Sequence, residues 1–142
     1  MFKKLKKFSS YFVIGAAGNM DEICAMQRWA SSHEPTEGIF KFMQDFYEDW
    51  RAIQRNFPHR SEDTAVTTEY LIGYKGTLYA CIGAEVRTIT PTEGSYAAIG
   101  AGMPYATMAL ELGCPPDQAV AHTADLCVWV QPPVITEQCW NR

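Results

Sequence analysis

The five cysteines include no CxxC pair, and no Cys/His spacing matches a zinc signature. An odd count without such a pair argues against a disulfide framework. It points to buried free thiols in a reducing, cytoplasmic compartment. No apolar run is long enough to span a membrane. Repeats, low-complexity tracts and linkers are also missing, so residues 1–142 read as one domain with its own core. Positive charge is in deficit: twelve Lys and Arg against sixteen Asp and Glu give a net charge of −4. That balance argues against a general nucleic-acid binder. The local exception is Lys3, Lys4, Lys6 and Lys7. The cluster reads as a contact for an acidic surface, as a frayed terminus, or as one functional lysine among spectators.

What is present is a clear alternation of strand and helix signals. The opening FKKLKK followed by FSSYFVIGAAG has the basic and apolar regions of a signal peptide. Its apolar part is short and broken by Ser9 and Ser10. The competing reading is a buried strand over residues 8–17, with its strand-forming centre from Tyr11, ending at Gly18-Asn19. Residues 21–29 predict a short helix with Ile23, Met26, Gln27 and Ala30 on its weak apolar face.

Residues 37–57 predict the clearest helix. Ile39, Phe40, Met43, Phe46, Tyr47, Trp50, Ile53 and Phe57 recur at helical spacing. Such a regular stripe is core packing rather than an aromatic binding surface. Pro58 ends the helix, and 56–65 is a polar loop. Strands follow at 66–74 and 77–83, with Lys75-Gly76 as a hairpin turn between them. Further strands are predicted at 85–89, 95–99 and 134–139, and helices at 103–112 and 117–127. Paired helices around an antiparallel sheet imply α+β layering.

The local motifs are weak taken singly. Gly100-Ala101-Gly102 before a helix is an anion-site geometry, but it lacks a full phosphate-binding fingerprint and reads as a tight turn. His33, His59 and His122 are scattered, with no Cys or Asp at local nucleophile spacing. Asp45, Glu48 and Asp49 form a solvated helix face.

The ordered series says more. KKLKKFSSYFVIGAAGNMDE, the helix end Glu48-Asp49-Trp50-Arg51, YLIGYKGTLYACIGAEV and SYAAIGAGMPYATMAL span nearly the whole chain. Together they resemble the proteasome β-subunit and HslV family of N-terminal nucleophile hydrolases. The last piece, similar to the family's Ala-Ile-Gly-Ser-Gly turn and helix, is the most specific. The resemblance implies a four-layer αββα sandwich. It also implies a threonine peptidase, in which the hydroxyl of an N-terminal threonine attacks a peptide carbonyl and its own α-amine serves as base. Such a subunit would assemble in a hexameric or heptameric ring and work with an ATP-dependent unfoldase.

Carried over residue by residue, the resemblance places the active-site lysine at Lys4, with Lys3 the alternative if the alignment slips by one. It places the oxyanion glycine at Gly15 and the aspartate that supports the terminal amine at Asp125. Backbone carbonyls around Ala124, Cys127 and Val130 fall where some HslV members hold sodium. Two departures follow. The chain as written starts at Met1 just ahead of the lysine, without the family's first β-hairpin and its threonine. The family's serine in the Gly-Ser-Gly turn is Ala101. Ser9 and Ser10 lie downstream of the lysine and do not replace the nucleophile. The expectation is therefore a non-catalytic binding or assembly subunit, a homo-oligomer (ring or dimer), or one covered by a partner protein. The alternative is a peptidase subunit whose N-terminal segment is absent from this sequence.

Overall fold

The computed structural model describes residues 3–56, 67–83, 85–89, 96–127 and 135–137. Within them the chain runs β1 (Leu5–Ser9), β2 (Phe12–Ala17), α1 (Met20–Ala30), α2 (Ile39–Asn56), β3 (Glu69–Tyr74), β4 (Thr77–Ile82), β5 (Glu85–Ile89), α3 (Met103–Glu111) and α4 (Pro116–Leu126). The strands form one five-stranded sheet in the order β1-β2-β3-β4-β5, antiparallel throughout. This is the α+β architecture expected.

Alternation along the strands sorts the side chains between two faces. Phe12 and Ile14 of β2 and Tyr70, Ile72 and Tyr74 of β3 join the core beneath α1 and α2. Val13, Gly15, Leu71 and Gly73 face the other way, into a cavity walled on its far side by α3 and α4. Of the four layers the resemblance implies, the described residues supply a helix pair, one sheet and a second helix pair.

The core is carried by α2. Ile39, Phe42, Met43, Phe46 and Trp50 are its buried residues, spaced to form one stripe. Phe40, assigned to that stripe from sequence, instead points to solvent and is 60% exposed. It sits one residue, about 100° of helix, from Ile39, and Phe42 takes the inner position. Phe46, Met43, Ile23, Met26, Ile14, Ile72, Tyr70 and Cys81 are the largest fully buried side chains. Each apolar one contributes about 1.5–3 kcal/mol through removal from water.

The opening strand differs from the expectation. Residues 8–17 hold the end of β1 and the whole of β2, joined by a turn at Ser10 and Tyr11. The Tyr11 N–H donates to Ser9 Oγ at 3.3 Å, and the pairing shifts register between Lys7 and Ser9. A serine that bonds the backbone two residues on favours a turn over an extended chain. Lys6 and Lys7 of the lysine cluster are therefore part of an edge strand, and Lys4 just before it is held by the Ala16 N–H rather than frayed. At 96–99 the backbone is irregular where a strand was expected. Of the predicted closing strand, only 135–137 is described, and it is not strand. Phe57, Pro58 and the polar loop up to 66 lie outside the described residues, as does Ser95.

Candidate functional site: a cavity between the sheet and the second helix pair

Two turns converge at the end of β2. The first closes β2 and opens α1. Gly18 has φ 136, and a Cβ there would lie 2.6 Å from the backbone Cα of Thr68, so no side chain fits. Thr68, 3% exposed, accepts the Asn19 N–H on its Oγ1 at 3.1 Å. Asn19 in turn caps α1, its Oδ1 accepting the Glu22 N–H at 2.9 Å.

The second turn is Gly100-Ala101-Gly102, which opens α3. Gly100 has φ 93, and a Cβ on it would come within 3.2 Å of Ala17 Cβ. Its N–H donates to the carboxylate of Glu69, the first residue of β3, at 3.3 Å. Glu69 pairs with Ala17 across the sheet, so both contacts of the second turn fall on one cross-strand pair at the end of β2. Local spacing cannot reveal that link, because Glu69 and Gly100 are 31 residues apart.

Between the sheet and the α3–α4 pair lies a cavity of about 520 Å³. Leu5, Val13, Leu71 and Leu78 floor it, and Ala106 and Leu110 roof it. Its lining is predominantly apolar, a common character for a ligand pocket of this size. Tyr96 also lines it. The Tyr96 phenol is raised above the ordinary tyrosine value by its hydrogen bond to Glu111, with burial and the Glu111 charge adding to the effect.

The residues assigned from sequence distribute as follows. Gly15 lines the cavity, paired with Leu5 on one side and Leu71 on the other. Lys4 precedes β1, where its carbonyl accepts the Ala16 N–H at 2.9 Å, while the residue itself is exposed. Lys3 is exposed too, and its carbonyl accepts from Gln27 Nε2 at 2.7 Å. Asp125 is exposed near the end of α4. Neither Lys4 nor Asp125 lines the cavity, and among the described residues no ion pair joins them. Ala101 is exposed at the apex of its turn.

Ala124 lies in the last turn of α4, where carbonyls have no intrahelical partner; this is the donor chemistry a sodium ion takes. Cys127 caps that helix, its N–H donating to the Thr123 carbonyl at 2.8 Å. Val130 lies outside the described residues. His33 stacks on Trp29 with ring centroids 3.5 Å apart, and His122 is exposed on α4. His59 is outside the described residues. Cys24, Cys81, Cys114 and Cys127 are free thiols, Cys81 and Cys127 buried and the other two half-buried.

One polar cluster was not legible from sequence. The Glu22 carboxylate accepts the Tyr70 hydroxyl at 2.6 Å and the Tyr47 hydroxyl at 3.3 Å. Burial, with the Glu22 charge beside them, holds both phenols well above the ordinary tyrosine value. The cluster ties α1, α2 and β3 together on the face of the sheet opposite the cavity.

No sequence-family model matches the chain, and no curated protein matches it by sequence. Solved structures do match in shape. BPH of Thiobacillus denitrificans, solved in complex with epoxomicin, superposes with a TM-score of 0.67 at 12% identity over 92% of this chain and 75% of that one. HslV of Trypanosoma brucei gives a TM-score of 0.55 at 18% identity over 91% of this chain and 76% of that one. The chain thus has the HslV/proteasome-like fold that the sequence resemblance implies.

Proposed function

We propose that this chain is a non-catalytic subunit of the proteasome/HslV fold, working by binding and by self-assembly in the cytoplasm. The observation that carries the reading is the wall of the cleft. It is built largely from apolar and small side chains, and Lys4 and Asp125 stand outside it. A threonine peptidase needs a hydroxyl, a base and a charged lysine gathered on one reacting atom. Ala101 at the serine position supports the same reading.

The second reading is a threonine-type peptidase subunit of an ATP-dependent protease, its nucleophile supplied by a segment preceding Lys4. Two observations favour it: the likeness to BPH, which was solved with epoxomicin, and the β1–β2 register that sets Leu5 beside Gly15. Fluorogenic peptides and an epoxyketone probe separate the two. The purified chain is expected to cleave none of the peptides and to take up no probe. Probe bonded to this chain in a peptide-level mass spectrum would overturn the non-catalytic reading.

A further inference from the structure

The outer side of β1 is open. Among the described residues β1 is an end strand of the sheet and pairs with β2 alone. The Lys4 carbonyl accepts the Ala16 N–H, and the register sets Lys6 opposite Ile14 as the next pair of the same kind. Hydrogen-bonded pairs alternate with unbonded ones along an antiparallel ladder. The N–H and C=O groups of Leu5 and Lys7 therefore point away from β2, where no described strand meets them. Such a row is a template for another extended chain.

Charge and shape narrow the choice of occupant. Lys3, Lys4, Lys6 and Lys7 lie in or just before this strand, in a chain whose net charge is −4. Among the described residues the one ion pair is Lys41 with Asp45, so none of the four lysines has an acidic partner. The Lys6 ammonium lies over the Phe8 ring, 5.6 Å from its centroid. Beside them is a pocket of about 420 Å³, lined by Lys6, Lys7, Phe8 and Ser9 on the strand side and by Ser32 and His33 across from it. The acid of that pocket, Glu34, is engaged by the Tyr11 hydroxyl. A second copy of this edge does not fit, because lysine would meet lysine. Edge lysines turn away strands in general. An acidic strand is the exception, since it brings the charge that the edge lacks.

We propose that the open edge of β1 takes up an extended, acidic segment of a partner protein as an added edge strand. Main-chain hydrogen bonds to Leu5 and Lys7 hold the segment, and its alternate side chains select it. Side chains on the face shared with Phe8 enter the pocket, where a carboxylate meets the Lys6 ammonium. Lys7 adds a second cation to the same edge. A nucleic acid of equal charge has no row of N–H and C=O groups to match the strand. The inference holds for either reading of the function, since neither Lys6 nor Lys7 is among the residues carried over for catalysis.

Fluorescence anisotropy of a capped, dye-labelled peptide of alternating Glu and Val, about seven residues long, provides the test. The peptide is expected to bind the full chain, and a peptide of alternating Lys and Val is not. N-methylating either all the Val or all the Glu N–H groups separates strand addition from plain charge attraction, because only every second N–H faces β1. One N-methylated form is expected to lose at least about tenfold in affinity and the other to stay within about threefold of the parent. Lys6→Glu combined with Lys7→Glu is expected to weaken binding at least about tenfold. Its circular dichroism spectrum should be unchanged, because both lysines are exposed. Arg87→Glu, on the opposite edge strand β5, is expected to change binding by less than about twofold. Four results would each overturn the proposal: no binding of the acidic peptide, equal loss in both N-methylated forms, wild-type binding by the double variant, or tighter binding of a single-stranded oligonucleotide of the same charge.

Discussion

Gly18→Ala tests whether the first turn is built as tightly as its geometry states. Two costs arise there and can be separated. The first is conformational: φ 136 is a backbone region that L side chains rarely adopt, and strain of this kind costs about 1–3 kcal/mol. The second is collision: the new methyl would sit 2.6 Å from Thr68 Cα and 2.8 Å from its Oγ1. The Cα is main chain and cannot swing aside, and overpacking of this kind costs about 1–3 kcal/mol. The sum, about 2–6 kcal/mol, is a large share of the 5–15 kcal/mol that holds a typical domain together. Gly38→Ala supplies the control. Gly38 has φ 101, and a methyl added there would meet nothing within 4 Å, so it bears the first cost without the second. Urea unfolding reads both variants. With a slope of about 1–3 kcal/mol per molar, Gly18→Ala should lower the midpoint by roughly 1–3 M and Gly38→Ala by clearly less. Equal losses would refute the collision argument and the packing of the turn on Thr68.

Tyr70→Phe removes one of the two hydroxyls on Glu22. A hydrogen bond to a charged group contributes about 1.5–3 kcal/mol, so calorimetry should show Tm lower by about 5–10 °C; a shift under about 2 °C would remove the cluster from the account of stability. The Cys81 thiol is pushed up by burial from 9.0 to about 12. Native protein at pH 8 should therefore be alkylated at Cys114 and Cys24 while Cys81 stays unmodified, as read by peptide mapping. Because the folded value is the raised one, the Cys81 contribution to stability is complete below about pH 9 and is lost as pH climbs towards about 12. Unfolding titrations that show stability rising across that window would contradict the sign.

Sequence was a good guide where structure is local. The α2 stripe follows from spacing. The Lys75-Gly76 hairpin is confirmed by φ values of 50 and 81, the paired positive angles of a tight two-residue turn. The β1–β2 turn was missed because its signal is a serine side chain bonding the backbone, inside what otherwise reads as a continuous apolar run. Gly100 on Glu69 and Tyr70 on Glu22 were missed for a different reason. Their partners are 31 and 48 residues away, and only the folded sheet brings them together. Helix α3 shows a third limit. Composition marks it as apolar, but an apolar helix in sequence gives no sign of which face is left uncovered.

The Glu22 cluster also sets an order of events during synthesis. The carboxylate lies in α1, and one of its donors, Tyr47, lies in α2, so both are made early. The closer donor, Tyr70, sits on β3, which also supplies Ile72 to the core and the second partner strand of β2. Until β3 leaves the ribosome, the growing chain holds a helix pair with no finished sheet to rest on. At an elongation rate of about 5–20 residues per second that interval lasts a few seconds. During it Phe46 is without Tyr70, its ring partner on β3, and the apolar face of α2 stays partly open to water.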